Sequence, residues 1–482
     1  MASLVDNLVK IVGDKHVSDE EAVLIPYSRD QHWPFVVPKR PAVVVRPIST
    51  EEIQEILKFA NNNKIPVVPL SRGVNVRGLC TPAKDGSILL DMRRMNKILE
   101  INHDMMTATI QPGVTHGQLA IAVRKHGMRP CIPGAPATGS LLANYLLRGV
   151  YHTNSGDGID HVCSAEFVLP DGRILKTGAV AFPNAPPHFR FTCSPDFVGL
   201  FQSMPGSMAV CTEMTVKLYP LPEAEAFIGI GYNTIEDAIK PIPQLMWHKI
   251  PALCWILPQF TIIKLFARSR KDLESMRGSF PEWTIPIVIE GHEKIVNAKK
   301  ELALEIINKT APPLNKPNAI PLPAEQAREF KYPRNIFGFL REGSYHALAF
   351  LGPLYQYPKY VPMMKELGVK AGYEAKNVDL LNAPIAGFWG QACYFEAEVP
   401  YTSADPKSVE MVKNFHYAVL KKLITKEYHI YGWFRPFLNP MKLIINQLGT
   451  YGEIWHKIMR LIDPNEIMNP GKVFPEEKEL TW

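Results

Sequence analysis

Apolar residues recur along the first half of the chain in two rhythms. Leu4, Leu8, Val9 and Val12 share one helical face, so residues 1–30 are expected to form a helical lead-in. Short apolar runs predict strands at Pro41 to Arg46, Ile65 to Val68, Ile88 to Met92, Ile98 to Ile101 and Thr107 to Gln111. Between the first two, Ser49-Thr50-Glu51-Glu52 reads as a capping box. It opens a helix whose apolar face is Ile53, Ile56, Leu57 and Ala60, and the polar run Asn61 to Lys64 ends it. Pro112-Gly113 turns the chain, and Thr115 with Gln118 forms a second capping box for a helix ending near Gly127. Further on, Asp171-Gly172 marks a hairpin over residues 166–175, and a strand is expected at Met214 to Leu218. The alternation is α+β, without the GxGxxG of a dinucleotide-binding Rossmann unit.

Three glycine-bearing stretches interrupt this pattern. The strand ending at Val68 breaks into a loop carrying Ser71, Arg72, Gly73, Asn75, Arg77 and Gly78. Glycines there permit left-handed backbone and close approach. Successive N–H groups turned toward one point make an anion-binding concavity, and Arg72 and Arg77 add positive charge beside it. The loop is read as the seat of a cofactor pyrophosphate; an ordinary turn with two solvated arginines is the other reading. Pro133-Gly134-Ala135-Pro136-Ala137-Thr138-Gly139-Ser140 forms a second such turn, leading into a short helix through Asn144 and Leu147. Small residues there let a flat ring or a phosphate approach the backbone, and a helix start favours negative charge. A third stretch, Pro205 to Glu213, leads into the strand at Met214.

Composition narrows the class. A chain of 482 residues is too long for one core, so two or more domains are expected. The net charge of +6 comes without a concentrated basic stripe, which argues against a nucleic-acid partner. Many of the 43 prolines lie between Pro241 and Pro362, predicting a loop-rich region. The seven cysteines form no CxxC pair and read as reduced thiols, so a cytoplasmic location is expected. No signal peptide or bilayer-spanning apolar run is visible. The 14 histidines show no HxxH or HxxxH spacing, and no metal site is expected. His103, His116, His126, His152 and His161 are read as loop or helix-surface residues, with His161 a weaker candidate to support a site near Asp157.

Several pieces together resemble the flavoprotein family of vanillyl-alcohol oxidase and 4-cresol dehydrogenase. They are Arg46-Pro-Ile-Ser-Thr-Glu-Glu-Ile53, the Pro66–Gly78 loop, Leu90-Asp-Met-Arg-Arg-Met-Asn96, Ile110-Gln-Pro-Gly-Val-Thr115, Arg148-Gly-Val150, Leu169-Pro-Asp-Gly172 and Asp463-Pro-Asn-Glu-Ile-Met-Asn-Pro-Gly-Lys472. The resemblance implies a two-subdomain, PCMH-type FAD-binding domain of α+β class. An α+β cap with an antiparallel sheet would interrupt it. The expected division is 1–222 for the first FAD segment, 223–439 for the cap and 440–482 for the returning segment. Within the cap, Phe227 to Tyr232 and Gln391 to Val399 read as strands, and Lys294 to Asn308 and Pro406 to Ile424 as helices.

The same resemblance implies the site. FAD would be held by Pro69, Ser71, Arg72, Gly73, Val74, Asn75 and Val76, by Pro133, Gly134, Thr138, Gly139, Ser140 and Asn144, and by Gly149, Gly156, Gly206, Val210 and Cys211. Asp157 falls where relatives keep a carboxylate beside flavin N5, and Arg435 where phenol-oxidising members hold a phenolate. Trp389, Tyr394 and Phe434 are candidates to line the substrate space. Phe434, and Arg77 or Gly78, stand where those members place tyrosines, so the full phenolate clamp is missing. Gly390 to Phe395 and the phosphate loop lack a histidine for flavin attachment, so non-covalent FAD is expected; Cys393 and Tyr394 are candidate nucleophiles whose expected role is buried packing. The implied reaction is hydride removal from a small aromatic or allylic alcohol or alkyl substrate. A 2-hydroxy-acid dehydrogenase using Arg435 or Arg77 on the carboxylate, or a flavin-binding protein without catalysis, are the alternatives. The electron acceptor would be oxygen, a cytochrome or another carrier, and a homo-oligomer is expected.

Overall fold

The computed structural model describes residues 3–30, 32–74, 77–131, 136–149, 158–267, 269–314, 344–384, 391–433, 438–475 and 479–480. The first sheet begins inside the lead-in. Helix α1 (Leu4–Val12), held by a Ser3–Asp6 capping box, buries Leu8 and Val12. It is followed by a two-residue strand, β1 (Val17–Ser18), that the helical pattern does not announce. β1 pairs with β2 (Val43–Val45), and the sheet order is β1-β2-β4-β3, with β3 (Val67–Leu70) and β4 (Ile88–Asp91). β2 and β3 both run parallel to β4. Parallel strands covered on both faces read as unbroken apolar runs, which is why they were legible as such.

Helix α2 (Thr50–Asn63) crosses this sheet with Ile53, Ile56, Leu57 and Ala60 buried. Its start differs from the expected capping box. Ser49 accepts from the Glu52 N–H, but the Glu52 carboxylate reaches one residue further back, to the Ile48 N–H. Lys64 closes the helix in the left-handed conformation.

The second sheet contains β5 (Ile98–Asn102), β6 (Thr107–Ile110), β7 (Met128–Pro130), β8 (Val162–Val168), β9 (Ile174–Thr177) and β10 (Val210–Pro220). Its order is β5-β6-β10-β8-β9, with β7 on β10, and its pairings are antiparallel. Helix α3 (His116–Arg124), with the expected Thr115–Gln118 box, and helix α4 (Leu141–Leu146), capped by Ser140, pack on it.

Residues 224–433 build two more antiparallel sheets. One holds β11 (Ala224–Tyr232), β12 (Leu253–Cys254), β13 (Leu257–Pro258) and β14 (Trp283–Gly291), in the order β11-β14-β12 with β13 on β14. The other holds β15 (Ser344–Gly352), β16 (Asp379–Pro384), β17 (Cys393–Tyr401) and β18 (Gly432–Trp433), ordered β16-β17-β15-β18. Helices α5 (Ile235–Ile239), α6 (Ile242–Trp247), α7 (Gln259–Phe266), α8 (Glu293–Thr310), α9 (Tyr357–Lys370) and α10 (Pro406–Leu423) surround them. Alternation sorts the side chains. Leu348, Phe350, Phe395 and Ala397 face the helical core with Tyr360 and Phe415. Ala349 and Tyr394 face the opposite cluster with Leu253, Leu257, Ile262 and Val288.

On that second face, Lys264 of α7 is buried between Asp379 of β16, at 3.2 Å, and Glu398 of β17, at 3.1 Å. Thr261 Oγ1 donates to Asp379 as well. The triad fixes α7 on the sheet, and burial pushes the Glu398 carboxyl up while Lys264 holds it down.

The chain then returns to the first sheet. Helix α11 (Thr450–Ile462) lays Trp455, Ile458, Met459 and Ile462 against the second sheet's core. Beyond it, Val67 N–H donates to Ile467 O and Asn469 N–H to Val67 O, so the returning segment covers the outer edge of β3.

Candidate active site

The loop after β3 is the best-defined part of the site. Gly73 sits at φ +72°, and among the described residues the Arg72, Gly73 and Val74 N–H groups have no hydrogen-bond acceptor. Arg72 forms no ion pair among the described residues either. Val74 is 46% exposed, so the loop's tip is open. Free successive amides beside an unpaired guanidinium suit a diphosphate.

The far side of the loop is anchored. Arg77 is read from sequence as a charge beside the loop or a solvated residue; its guanidinium is instead buried, and Nη1 donates to Ala347 O on β15. Gly78 N–H donates to Asp30 Oδ2 at 2.7 Å, and Gly78 O accepts from Lys472 Nζ at 2.7 Å. Asn469 Nδ2 donates to Leu79 O and Pro205 O. A methyl group on Gly78 would stand 2.7 Å from Val36 Cγ2, so only glycine fits this crossing.

Next to Arg77, three buried histidines meet across the contact between the lead-in and the 224–433 region. His346 Nε2 and His416 Nδ1 lie 2.9 Å apart. The Phe35 ring sits 4.5 Å from His346 and 4.4 Å from His416, and His32 stacks 4.6 Å from Phe35. Burial lowers the pKa of all three, with Arg77 opposing their protonation too.

The FAD binding domain family matches residues 41–178, which hold β2 to β9 and the loop after β3. A glycolate oxidase subunit of Bacillus subtilis is 30% identical over 265 residues, 54% of each chain. The flavoprotein subunit of 4-cresol dehydrogenase from Pseudomonas putida is 30% identical over 243 residues, 48% of this chain and 46% of that one. The chain therefore matches about half the length of these curated relatives. Over nearly the whole length the fold is that of p-cresol methylhydroxylase with bound substrate, TM-score 0.83 at 21% identity, covering 97% of this chain and 95% of that one. The 4-ethylphenol oxidase of Gulosibacter chungangensis gives 0.82 at 21%, covering 98% and 97%. Residues 41–178 thus form an FAD-binding domain, and the chain as a whole has the fold of these flavoproteins. FAD is its cofactor.

The residues of this flavoprotein fit the group. The Arg72–Val74 amides are free for the diphosphate, and the neighbouring glycines stand where a side chain would collide. A methyl on Gly206, at φ +67°, would lie 2.2 Å from Pro69 Cγ. One on Gly149 would lie 1.5 Å from Asn144 Oδ1, and Gly149 N–H donates to Asn144 O. Ser140 caps α4, accepting from Ala143 N–H and donating to Pro112 O, so its hydroxyl is already engaged; Thr138 is exposed and Gly139 half-buried. Val210 and Cys211 open β10, paired with β8, and their side chains are buried in separate cores. Burial pushes the Cys211 thiol up.

Other expectations divide. Tyr394 is buried in the apolar cluster opposite the helices, and Cys393 in the helical core. Asn75, Val76, Pro133, Gly134, Gly156, Asp157, Trp389, Phe434 and Arg435 lie outside the described residues, as does His152. Two surface assignments are corrected. His116 is buried on the α3 face against Tyr145, and burial lowers it to about 3. His161 is buried, with Nδ1 2.7 Å from the Tyr219 hydroxyl. His103 and His126 are exposed. Among the described residues, no group of His, Cys, Asp or Glu is arranged to hold a metal ion, and no helix is long and apolar enough to cross a membrane.

Sequence reasoning missed the Arg77–Ala347 contact, the histidine cluster and the Lys472 and Asn469 clamps. Only the clamps carried a signal, the Asn469-Pro-Gly-Lys472 motif, and it named no partner.

Proposed function

We propose that this protein is an FAD-dependent oxidoreductase that removes a hydride from a small aromatic or allylic alcohol or alkyl substrate. One observation carries the reading: the open Arg72–Val74 amides lie a few residues from Arg77, which joins the loop to β15. A group held there sits at the junction of the FAD-binding fold and the 224–433 region. When bound, FAD supplies the two-electron acceptor for the substrate hydride. The chain supplies the rest. The amides and Arg72 hold the diphosphate, and the 224–433 region covers the reacting end and excludes water. Asp157 is assigned to the substrate, taking a proton or offsetting positive charge as hydride leaves. Arg435 holds an anionic substrate group through paired hydrogen bonds. The flavin is held non-covalently, the division into FAD-binding and cap segments falls at 222 and 439, and oxygen or a protein carrier takes the electrons.

The similarity to a glycolate oxidase subunit favours a second reading, a 2-hydroxy-acid dehydrogenase. The test is anaerobic bleaching of the flavin absorbance by 4-alkylphenols, benzylic alcohols, D-lactate and glycolate, then re-oxidation in air. Bleaching by phenols or benzylic alcohols is expected; bleaching by hydroxy acids alone selects the second reading. Flavin that no substrate bleaches would mark a binding protein without catalysis. In Asp157→Ala the reductive rate should fall roughly 10²–10⁴-fold; a near-normal rate removes Asp157 from the mechanism.

A further inference from the structure

A cavity of about 370 Å³ is walled mainly by the returning segment. Lys84, Ser207, Arg460, Asn469, Lys472 and Phe474 are among its walls. None of the residues assigned to FAD lines it. Three features make it a site in waiting rather than a packing gap.

The first is a buried charge. Lys472 is 4% exposed and forms no ion pair among the described residues; its ammonium donates to Gly78 O and lies 3.5 Å from Thr81 Oγ1. Burial lowers it to about 8. A cation taken out of water calls for a counter-charge. The second is a pair of orphaned oxygens. Asn469 Nδ2 must face the Leu79 and Pro205 carbonyls, which fixes its Oδ1 on the other side, buried and without a donor. Ser207 Oγ is likewise buried without a partner. The third is the state of the acids nearby. Asp463 already accepts from the Ile467 and Met468 N–H groups, and Glu466 pairs with Arg460 at 2.9 Å. Neither pairs with Lys472; Asp30, the carboxylate that acts on it through space, already accepts from the His32 and Gly78 N–H groups and forms no ion pair with it among the described residues, whereas Lys84 adds a second cation at the exposed rim.

We propose that this cavity is a second ligand site, for a small organic anion, distinct from the FAD-binding groove. A phosphate or carboxylate head takes Lys472, Lys84 and the Ser207 hydroxyl. A hydroxyl or N–H of the ligand donates to Asn469 Oδ1. The body rests on Phe474. The volume corresponds to roughly a dozen waters, enough for a head group with an aromatic or sugar body.

The test is calorimetric titration of the FAD-loaded protein with AMP, benzoate and inorganic phosphate. AMP and benzoate separate phosphate from carboxylate heads, and inorganic phosphate reports the head alone. Binding of AMP or benzoate is expected. Ser207→Ala, which removes an orphaned hydroxyl and should fold normally, should weaken it about tenfold. Lys84→Glu should weaken it roughly fivefold while leaving the flavin spectrum and flavin retention unchanged. No binding of any probe up to about 10 mM overturns the proposal. So does binding that both variants leave unchanged. Binding to the FAD-free protein that FAD loading abolishes would give the cavity to the cofactor itself, and also overturns it.

Discussion

Two glycine-to-alanine changes separate backbone conformation from close packing in the FAD site. Gly73 and Gly206 both have positive φ, +72° and +67°. At Gly73 an added methyl would meet nothing closer than Leu70 Cδ1 at 3.5 Å, an ordinary contact. Its cost is therefore the left-handed conformation alone, about 1–2 kcal/mol. The FAD-free loop is exposed and can relax, so that cost appears on binding. FAD affinity should fall about 5- to 30-fold. At Gly206 the methyl would lie 2.2 Å from Pro69 Cγ and 3.0 Å from Cδ. A proline ring cannot swing aside, so the 205–207 turn must move off β3. Overpacking adds about 1–3 kcal/mol to the same conformational term, a total of about 2–5 kcal/mol. Pro205 and Ser207 are buried, so this cost already weighs on the FAD-free protein. Flavin-fluorescence titration of the FAD-free proteins and their thermal melting read the two quantities. The expected result is weakened FAD binding with an unchanged melting temperature for Gly73→Ala. Gly206→Ala should bind FAD more weakly still and melt roughly 2–5 °C lower. Equal FAD affinities in the two variants, or an unchanged melting temperature in Gly206→Ala, would refute the contact between the 205–207 turn and β3.

Arg77→Ala removes a buried charged donor, which is worth about 1.5–3 kcal/mol, and should both weaken FAD binding and speed proteolysis within 224–433; unaltered cleavage would show that Arg77 does not hold that region. Lys264→Met leaves Asp379 and Glu398 buried without their cation and should lower stability by about 3–5 kcal/mol, seen as a reduced urea midpoint; a midpoint at the wild-type value would contradict the triad. His32, His346 and His416 have folded pKa values lowered by burial, so each takes up a proton on unfolding. Their contribution is complete above about pH 6.5 and is lost as pH falls, by up to ~1.4 kcal/mol per pH unit for each histidine. Urea midpoints should therefore drop between pH 7 and 5, and less steeply in His416→Phe; parallel pH profiles would sink the assignment.

What the sequence disclosed was local. Gly73 and Gly78 after an apolar strand, the Thr115–Gln118 box and the Asp171-Gly172 turn act within a few residues, and each appears where its chemistry requires. The half-formed box at Ser49 shows the limit, because Glu52 had two N–H groups within reach and took Ile48. β14 escaped notice because Pro286 stands inside the run Trp283 to Gly291, and a proline within a run argues against a central strand. His116 and His161 look like polar residues in loops and helices; what buries them is Tyr145 and Tyr219, supplied by other elements. Arg77 is the extreme case. Its acceptor lies on a strand 270 residues away, and no spacing rule reaches that far.

That long-range contact explains how the loop can be both open and ordered. Residues 72–74 keep their amides free, whereas the next described residues, 77–79, are tied to the lead-in through Asp30, to β15 through Ala347 and to the returning segment through Lys472 and Asn469. Fixing one flank of a loop removes part of the conformational entropy that ligand binding would otherwise have to overcome, about 1–2 kcal/mol for each residue held. The anchors are thus a form of preorganisation, and they come from three separate parts of the chain. The shape of residues 77–79 thus depends on contacts from the lead-in, the 224–433 region and the C-terminal return. The Asn469-Pro-Gly-Lys472 motif supplies two of these anchors, on residues 78 and 79, although it lies far from the loop in sequence.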